Sequence, residues 1–345
     1  MKEFNIGKTK IGKLSKPFII AELSANHGNS LKNCLKLVKL AKAAGASAIK
    51  IQTYRPDTIT LKSNKKDFLL KKNSPWKKYD NMWNLYSKSF TPWEWHKAIF
   101  KEAKKNKLEF FSSPFDESAV DFLKNLNVKA YKIASAEINH IPMIEKIIKL
   151  NKPIIFSLGF SNLKNYQKIN MLIKKYKFKK AIFLNCIADY PASIKDFSFY
   201  DFDNMKKKHL VGLSDHTIGN QISTISLLKG ACVFEKHICL SKKETIDDFF
   251  SADYLDFKSY VDNLNLTYSL MKNINSNFEK NKHSINKRSI YVSQDINVGN
   301  KFNEDNIKIV RPGNSLDPEL YFKIIGKKTL KKLKVGDRIS LKNVK

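Results

Sequence analysis

The chain has 345 residues and a formal net charge of +31, from 63 lysines and arginines against 32 aspartates and glutamates. That length exceeds one small domain and suits a large α/β barrel with an appendage, or two ordinary domains. No apolar run reaches the roughly 18 residues a membrane-spanning helix needs. The N-terminal apolar stretch, Phe18 to Ala21, is too short for a signal-peptide core. A cytoplasmic protein without membrane contact is expected.

The charge points to no nucleic-acid partner. Basic residues are dispersed and nearly all lysine; the arginines are Arg55, Arg288, Arg311 and Arg338. Base readout prefers the planar fork of arginine. A positive field would still gather a phosphorylated substrate. Cys34, Cys186, Cys232 and Cys239 form no CxxC pair, which fits a reducing compartment.

Taken in chain order, strand-like runs fall at 18–23, 47–53, 108–113, 129–135, 152–158, 181–186, 209–214 and 231–237. Amphipathic segments follow most of them. The segment 31–45 repeats apolar residues at helical spacing and stops at Gly45. The segment 91–106 opens with a Thr91 cap, Pro92 at the first helical position and Glu94 three residues after the cap. Eight strands alternating with helices predict a (β/α)8 TIM barrel, with an open doubly wound sheet as the alternative.

Two regions break the alternation. Residues 54–90 form a long insertion carrying Trp76, Tyr79, Trp83 and Tyr86. It reads as a substrate lid or as an extra packing layer. Beyond the helix-like run 254–274 the texture becomes polar, then turns to short strands. This predicts a barrel domain over 1–274, a linker over 275–286 and a small β-rich domain over 287–345.

Reactive groups of a β/α barrel gather at the C-terminal ends of the strands. Those ends are well stocked here: Glu22, Ser24, Asn26 and His27; Lys50 and Gln52; Ser112 and Ser113; Lys132, Ser135 and Glu137; Ser157; Ser214, Asp215 and His216; Glu235, Lys236 and His237. Lys50 and Lys132 sit inside apolar strand patterns, where an ammonium is costly without an anion. They predict a phosphate and carboxylate site, or else side chains that snorkel to the rim. His216 and His237 end consecutive strands and suit one divalent ion with waters, Mn2+ or Mg2+, or ordinary hydrogen bonding. No thiolate accompanies them, which argues against a closed structural zinc site. Glu22 reads as a general base, or as a salt-bridge partner of Lys50.

The motifs IIAELSANHGNS, AIKIQTY, FFSSPF, AYKIASAE, PIIFSLG, GLSDHT and FEKHICL, in this order, resemble the sialic acid synthase family. The tail IVRPGN…IIGKK…KVGDRI resembles its C-terminal antifreeze-like (SAF) domain. ELSANH, IQTYRPDTITL and LYSKSFTPWEWH look like the pseudaminic acid branch more than the N-acetylneuraminate or legionaminate branches.

The resemblance implies a barrel plus SAF domain in a domain-swapped homodimer. It implies condensation of phosphoenolpyruvate (PEP) with an amino-sugar aldehyde, 2,4-diacetamido-2,4,6-trideoxy-altrose. Lys50, Ser113, Lys132, Ser135, Ser157 and Ser214 match positions that hold PEP. His216 and His237 match metal ligands, and Glu22 the catalytic carboxylate. Gln52, Tyr190, Asp247 and the SAF residue Arg311 match sugar-contacting positions.

The chain departs from the family pattern in places. Gly28-Asn29 reverses the usual order. Ile187 and Ala188 replace polar residues of a Cys-Thr-X-X-Tyr-Pro motif, and Leu158 replaces the threonine of Ser-Thr-Gly. The loop after the eighth strand is about one residue short, so Asp248 could trade places with Asp247. A non-catalytic sugar-binding relative is the reading these departures suggest; retention of both lysines, both histidines and Glu22 opposes it.

Overall fold

The apolar runs form strands close to the predicted bounds. In the computed structural model, which describes residues 3–159, 163–273 and 286–345, they close into a parallel barrel. A short N-terminal hairpin, β1 (Phe4–Ile6) and β2 (Thr9–Ile11), precedes it. The barrel strands are β3 (Phe18–Glu22), β4 (Ala48–Thr53), β5 (Glu109–Pro114), β6 (Tyr131–Ile133), β7 (Ile154–Ser157), β8 (Ala181–Cys186), β9 (Leu210–Asp215) and β10 (Val233–His237). β10 pairs with both β9 and β3, and this closure excludes the doubly wound sheet.

Side chains alternate faces along a strand, so each strand writes two messages. The outward residues are apolar and pack under the helices: Ile19 and Ala21, Ile49 and Ile51, Ile154 and Phe156, Val211 and Leu213. The inward residues change character along the barrel axis. At the N-terminal end Phe18, Ile20, Ala48, Phe111, Ile155, Ile182 and Val233 form a dry cluster. Ile6 and Ile11 of the hairpin belong to that cluster and are buried. The same inward rows then turn polar: Ile20 is followed by Glu22, Ala48 by Lys50, Phe111 by Ser113, Ile155 by Ser157 and Val233 by Glu235 and His237.

Local signals explain the flanking helices. In the helix Leu31–Ala44, Ser30 Oγ accepts the Asn33 amide at 3.3 Å. Cys34, Leu37, Val38, Ala41 and Ala44 face the core, and Gly45 ends the helix at φ 97°. The helix Trp93–Lys105 starts one residue later than predicted. Pro92, with ψ 133°, is still extended and becomes the N-cap instead of Thr91. The side chain of His96 in its first turn ties it to Thr53 Oγ1 at 2.8 Å, at the end of β4.

The chain divides into two compact units, Met1–Asn273 and Ile274–Lys345. The expected linker, 275–286, lies outside the described residues but for its last position. The second unit pairs β11 (Ser289–Val292) with β12 (Ile307–Val310) antiparallel. Its own small core includes Ile290, Val292, Ile296, Phe302 and Leu333. No described helix is long and apolar enough to cross a membrane.

The floor cluster makes a quantitative expectation. Phe111 is fully buried inside the barrel. Phe111→Ala should lower the unfolding free energy of the barrel by about 3–5 kcal/mol. Phe322→Ala, at a position 86% exposed in the second unit, should change stability by under about 0.5 kcal/mol. Urea titration of both variants checks this; equal effects would contradict the assigned floor.

Candidate active site

Parallel pairing sets opposite each other the residues that carry charge. Glu22 is level with Lys50 on one side and with His237 on the other. Glu235 is level with Ser214. The result is a buried square of two carboxylates and two ammonium groups. Lys50 Nζ meets Glu22 Oε2 at 2.7 Å and Glu235 Oε1 at 3.5 Å. Lys132 Nζ meets the same Glu235 oxygen at 3.4 Å. Ser113 Oγ accepts from Lys50 at 3.2 Å, and Ser214 Oγ donates to Glu235 at 3.3 Å. All four charged residues are at most 3% exposed. The lysines therefore do not snorkel to the rim, and the Glu22–Lys50 ion pair is real.

The square splits its carboxylates. Burial raises the pKa of Glu22, and Lys50 only partly offsets this while Glu235 adds repulsion. Burial also works against the Glu235 anion, but Lys132 and Lys50 outweigh it and hold that pKa low. Glu235 is thus the resident anion and Glu22 the group poised to exchange a proton. Burial lowers the pKa of Lys132, whereas Lys50 is raised: burial opposes its charge, and its two carboxylates prevail.

Two imidazoles stand beside the square, their ring centroids 5.3 Å apart. His216 Nδ1 bonds the Ile187 carbonyl at 2.8 Å, which leaves Nε2 as the free nitrogen. His237 Nδ1 is buried with no hydrogen-bond partner among the described residues. Burial, then His216 and the two lysines, push its pKa well below the ordinary range. A neutral imidazole with an orphaned nitrogen, next to a second one oriented by a carbonyl, suits a divalent cation. Among the described residues no third His, Cys, Asp or Glu completes a group, so such a site would be open to water and substrate.

Above the square lies a cavity of about 860 Å3 whose lining includes Gln52, Ser135, Glu137, Tyr190, His237 and Asp247. The Tyr190 ring lies 4.4 Å from that of His216 and 4.8 Å from Phe250. Gln52 donates to Ser24 Oγ at 3.4 Å. Ser135 Oγ accepts the Gly159 amide at 3.0 Å. A Cβ on Gly159 would come within 2.9 Å of that hydroxyl and 3.0 Å of both Cys186 Sγ and Ala188, so only glycine allows this approach. Ser157 is buried at the end of β7 with no bond to its hydroxyl among the described residues.

The loop after β10 settles which aspartate faces the cavity. Asp247 accepts from Ser24 Oγ and from the Ala25 amide at 3.2 Å. Asp248 turns away to cap its own loop, accepting the Glu244 amide at 2.6 Å and the Thr245 amide. Arg311 follows β12 in the second unit and is exposed.

Other strand-end residues prove structural. Asn26 bridges the loops after β3 and β10, donating to the Ile238 carbonyl and Ser251 Oγ, both at 2.8 Å. Burial lowers the pKa of His27 to about 4, and its ring packs edge-on against Trp95. Asp215 and Lys236 pair at 3.2 Å on the outward face, away from the square. Gly28 and Asn29 both take positive φ, 54° and 56°, so either order of these two residue types serves the turn.

Glu235 and Glu137 carry more of the site than the sequence assigned them. The signal for Glu235 was parity: it shares a face with His237, while Lys236 takes the other.

Fold and site together define a β/α barrel whose mouth buries two carboxylates and two ammonium groups beside a pair of imidazoles. The chain belongs to the NeuB family, whose model matches residues 37–276. It is 41% identical over 329 residues to pseudaminic acid synthase of Campylobacter jejuni subsp. jejuni serotype O:2, covering 94% of this chain and 95% of that protein. It is 35% identical over 337 residues to pseudaminic acid synthase of Helicobacter pylori, covering 96% and 98%. The N-acetylneuraminic acid synthetase of Leptospira borgpetersenii serovar Hardjo-bovis, solved with citrate, superposes with a TM-score of 0.70. It shares 26% identity and covers 78% of this chain and 90% of that one.

Glu137 supplies a pH dependence. Burial pushes its pKa up to about 7 from 4.5, opposed by a backbone hydrogen bond and by Lys132 and Lys50. A raised carboxyl pKa contributes stability that is complete below pH 4.5 and lost as pH rises through about 7. Glu137→Gln should remove that loss, so its stability relative to wild type should be greater at pH 8 than at pH 5. Urea midpoints of both proteins across this range check it; parallel curves would contradict the assignment.

Proposed function

We propose that this chain is a pseudaminic acid synthase. It condenses PEP and water with 2,4-diacetamido-2,4,6-trideoxy-L-altrose, forming the nonulosonic acid and releasing phosphate. One observation supports this above all: the buried square of Glu22, Lys50, Lys132 and Glu235 lies beside the imidazoles of His216 and His237, in a chain alike over 94% and 96% of its length with two pseudaminic acid synthases. A decayed binding protein would have no reason to keep so costly a cluster.

The residues divide the labour. Lys50 and Lys132 take the phosphate and carboxylate of PEP, with Ser113, Ser135, Ser157 and Ser214 supplying hydroxyls. Serine donors and ammonium groups on fixed strand ends orient carbon 3 of PEP towards the aldehyde. Gln52, Tyr190 and Asp247 bind the sugar. The new carbon–carbon bond leaves positive charge at carbon 2 of the PEP unit. Water adds there, Glu22 moves its proton, and the carbon–oxygen bond to phosphate breaks. His216 and His237 would hold Mn2+ or Mg2+; when bound, such a cation supplies Lewis-acid polarisation of the aldehyde oxygen.

The resemblance of the tail to a SAF domain supports a further part of the reading. The second unit caps the barrel of a partner in a domain-swapped homodimer, and Arg311 completes the partner's sugar site. A cytoplasmic location accords with substrates of this kind.

Each candidate sugar should be offered separately with PEP and Mn2+, and the acid identified by mass spectrometry. The altrose derivative should be converted at least about a hundredfold more efficiently than N-acetylmannosamine. Chelator should abolish conversion and Mn2+ restore it. Preference for another sugar would move the chain to the N-acetylneuraminate or legionaminate branch.

Glu22→Gln should fold, keep its metal content and lose about 10^2–10^4-fold in kcat. Phosphate release and metal analysis check this. Wild-type turnover in the variant would remove Glu22 from the mechanism.

A further inference from the structure

A second cavity, of about 380 Å3, opens at the other end of the barrel. That volume lies within the range of small-molecule sites. Its wall stands where helices return to strands. Phe178 and Lys179 lead into β8, Lys206 ends the helix Tyr200–Lys206, and Lys207 to His209 lead into β9. The N-terminal hairpin supplies Phe4 from β1 and Lys13 just after β2. All barrel strands run one way, so this end lies a strand length from Glu22, Lys50 and the imidazoles.

Lys13, Lys179, Lys206, Lys207 and Lys208 thus reach one opening from three stretches of chain. Two of them converge over Gly230. The place of a Cβ on that glycine has Lys206 Nζ and Lys13 Cε each 3.8 Å away. Like charges gathered in this way repel one another. A lysine-rich composition does not by itself produce the gathering. The chain has 32 acidic residues against 63 basic ones, yet no carboxylate lines this cavity. Asp203 pairs with Lys229 at 2.9 Å and reaches Lys206 at 3.9 Å. Lys206 also donates to the Lys229 carbonyl, and Lys207 to Asn204. Lys13, Lys179 and Lys208 are exposed and have no ion-pair partner among the described residues.

His209 apart, the rest of the lining is apolar, with Phe4, Ile173, Phe178 and Leu210 among it. Inorganic phosphate would meet the charges and leave that floor uncovered. A ligand that carries several phosphates on a ring system meets both. Lysines are mobile point charges and suit a flexible phosphate chain.

We propose that this cavity is a second ligand site, for a nucleoside di- or triphosphate. The lysines hold the phosphates and the apolar floor takes the base. The proposal is independent of the synthase reading, because it is tested by binding and not by turnover.

ATP is the probe, in equilibrium dialysis against the full chain with Mg2+ in excess of nucleotide. Salt at about 0.15 M screens scattered surface lysines. ATP should then bind once per chain, at least about tenfold tighter than adenosine or inorganic tripolyphosphate, since it joins both parts in one molecule. Saturating PEP should leave the affinity within about twofold. Lys13→Ala combined with Lys208→Ala should weaken ATP by about tenfold. Lys36→Ala combined with Lys39→Ala removes the same charge from exposed positions of the helix Leu31–Ala44. That control should change the affinity by less than about twofold.

Displacement of ATP by PEP would put the nucleotide in the barrel mouth and overturn the proposal. Equal losses in the two double variants, or tripolyphosphate binding as tightly as ATP, would reduce the cavity to a diffuse positive surface and overturn it too. Absence of ATP binding would do the same.

Discussion

Four charges buried in the barrel mouth constrain everything around them. Two carboxylates and two ammonium groups neutralise one another only while all are present. Losing one partner leaves an uncompensated buried charge, which costs about 3–5 kcal/mol. Such a cluster needs rigid supports. Here the supports are strand ends whose register is set by closure of the sheet, above a dry floor that fixes the strands below. An incoming anion also meets Glu235 already seated between the lysines. On the proposed function, binding PEP would exchange partners at Lys50 and Lys132, both buried before the anion arrives.

The square is wired to the rest of the mouth through Ser24. Its amide donates to Glu22 Oε1 at 3.0 Å, and its hydroxyl donates to Asp247. Its φ of 45° lies in the left-handed region, where a serine is strained. That strain falls on the residue that links Glu22 to Asp247. Trp76 extends the link to the insertion. Charge cluster, Asp247 and Trp76 thus form one connected network, with helix packing and the Asp215–Lys236 pair kept outside it.

Strands of this kind are legible because β-branched and apolar runs bounded by polar loops have few other uses. Lys50 and Lys132 were legible for the opposite reason: an ammonium in such a run demands a counter-charge. Which counter-charge was harder to read. Glu22 was an evident partner for Lys50, but Glu235 stands beside Lys236 in FEKH, and only its parity with His237 tells which of the two faces inward. The hairpin of β1 and β2 is hard to read because each strand has three residues, with Lys10 among those of β2. Its two isoleucines matter only once a barrel floor exists to receive them. Asp247 and Asp248 are chemically equal in sequence, and a local turn chooses between them.

The departures at Ile187 and Ala188 gain meaning from the same geometry. The group that orients His216 is the carbonyl of Ile187, and a carbonyl is present whatever side chain follows it. Replacing the polar side chain therefore leaves the imidazole in place. Ala188 lies close to Gly159, on the wall shared with Ser135 and Cys186. A larger polar side chain there would crowd the Ser135 hydroxyl that accepts the Gly159 amide. Both departures spare the charged square and the imidazoles.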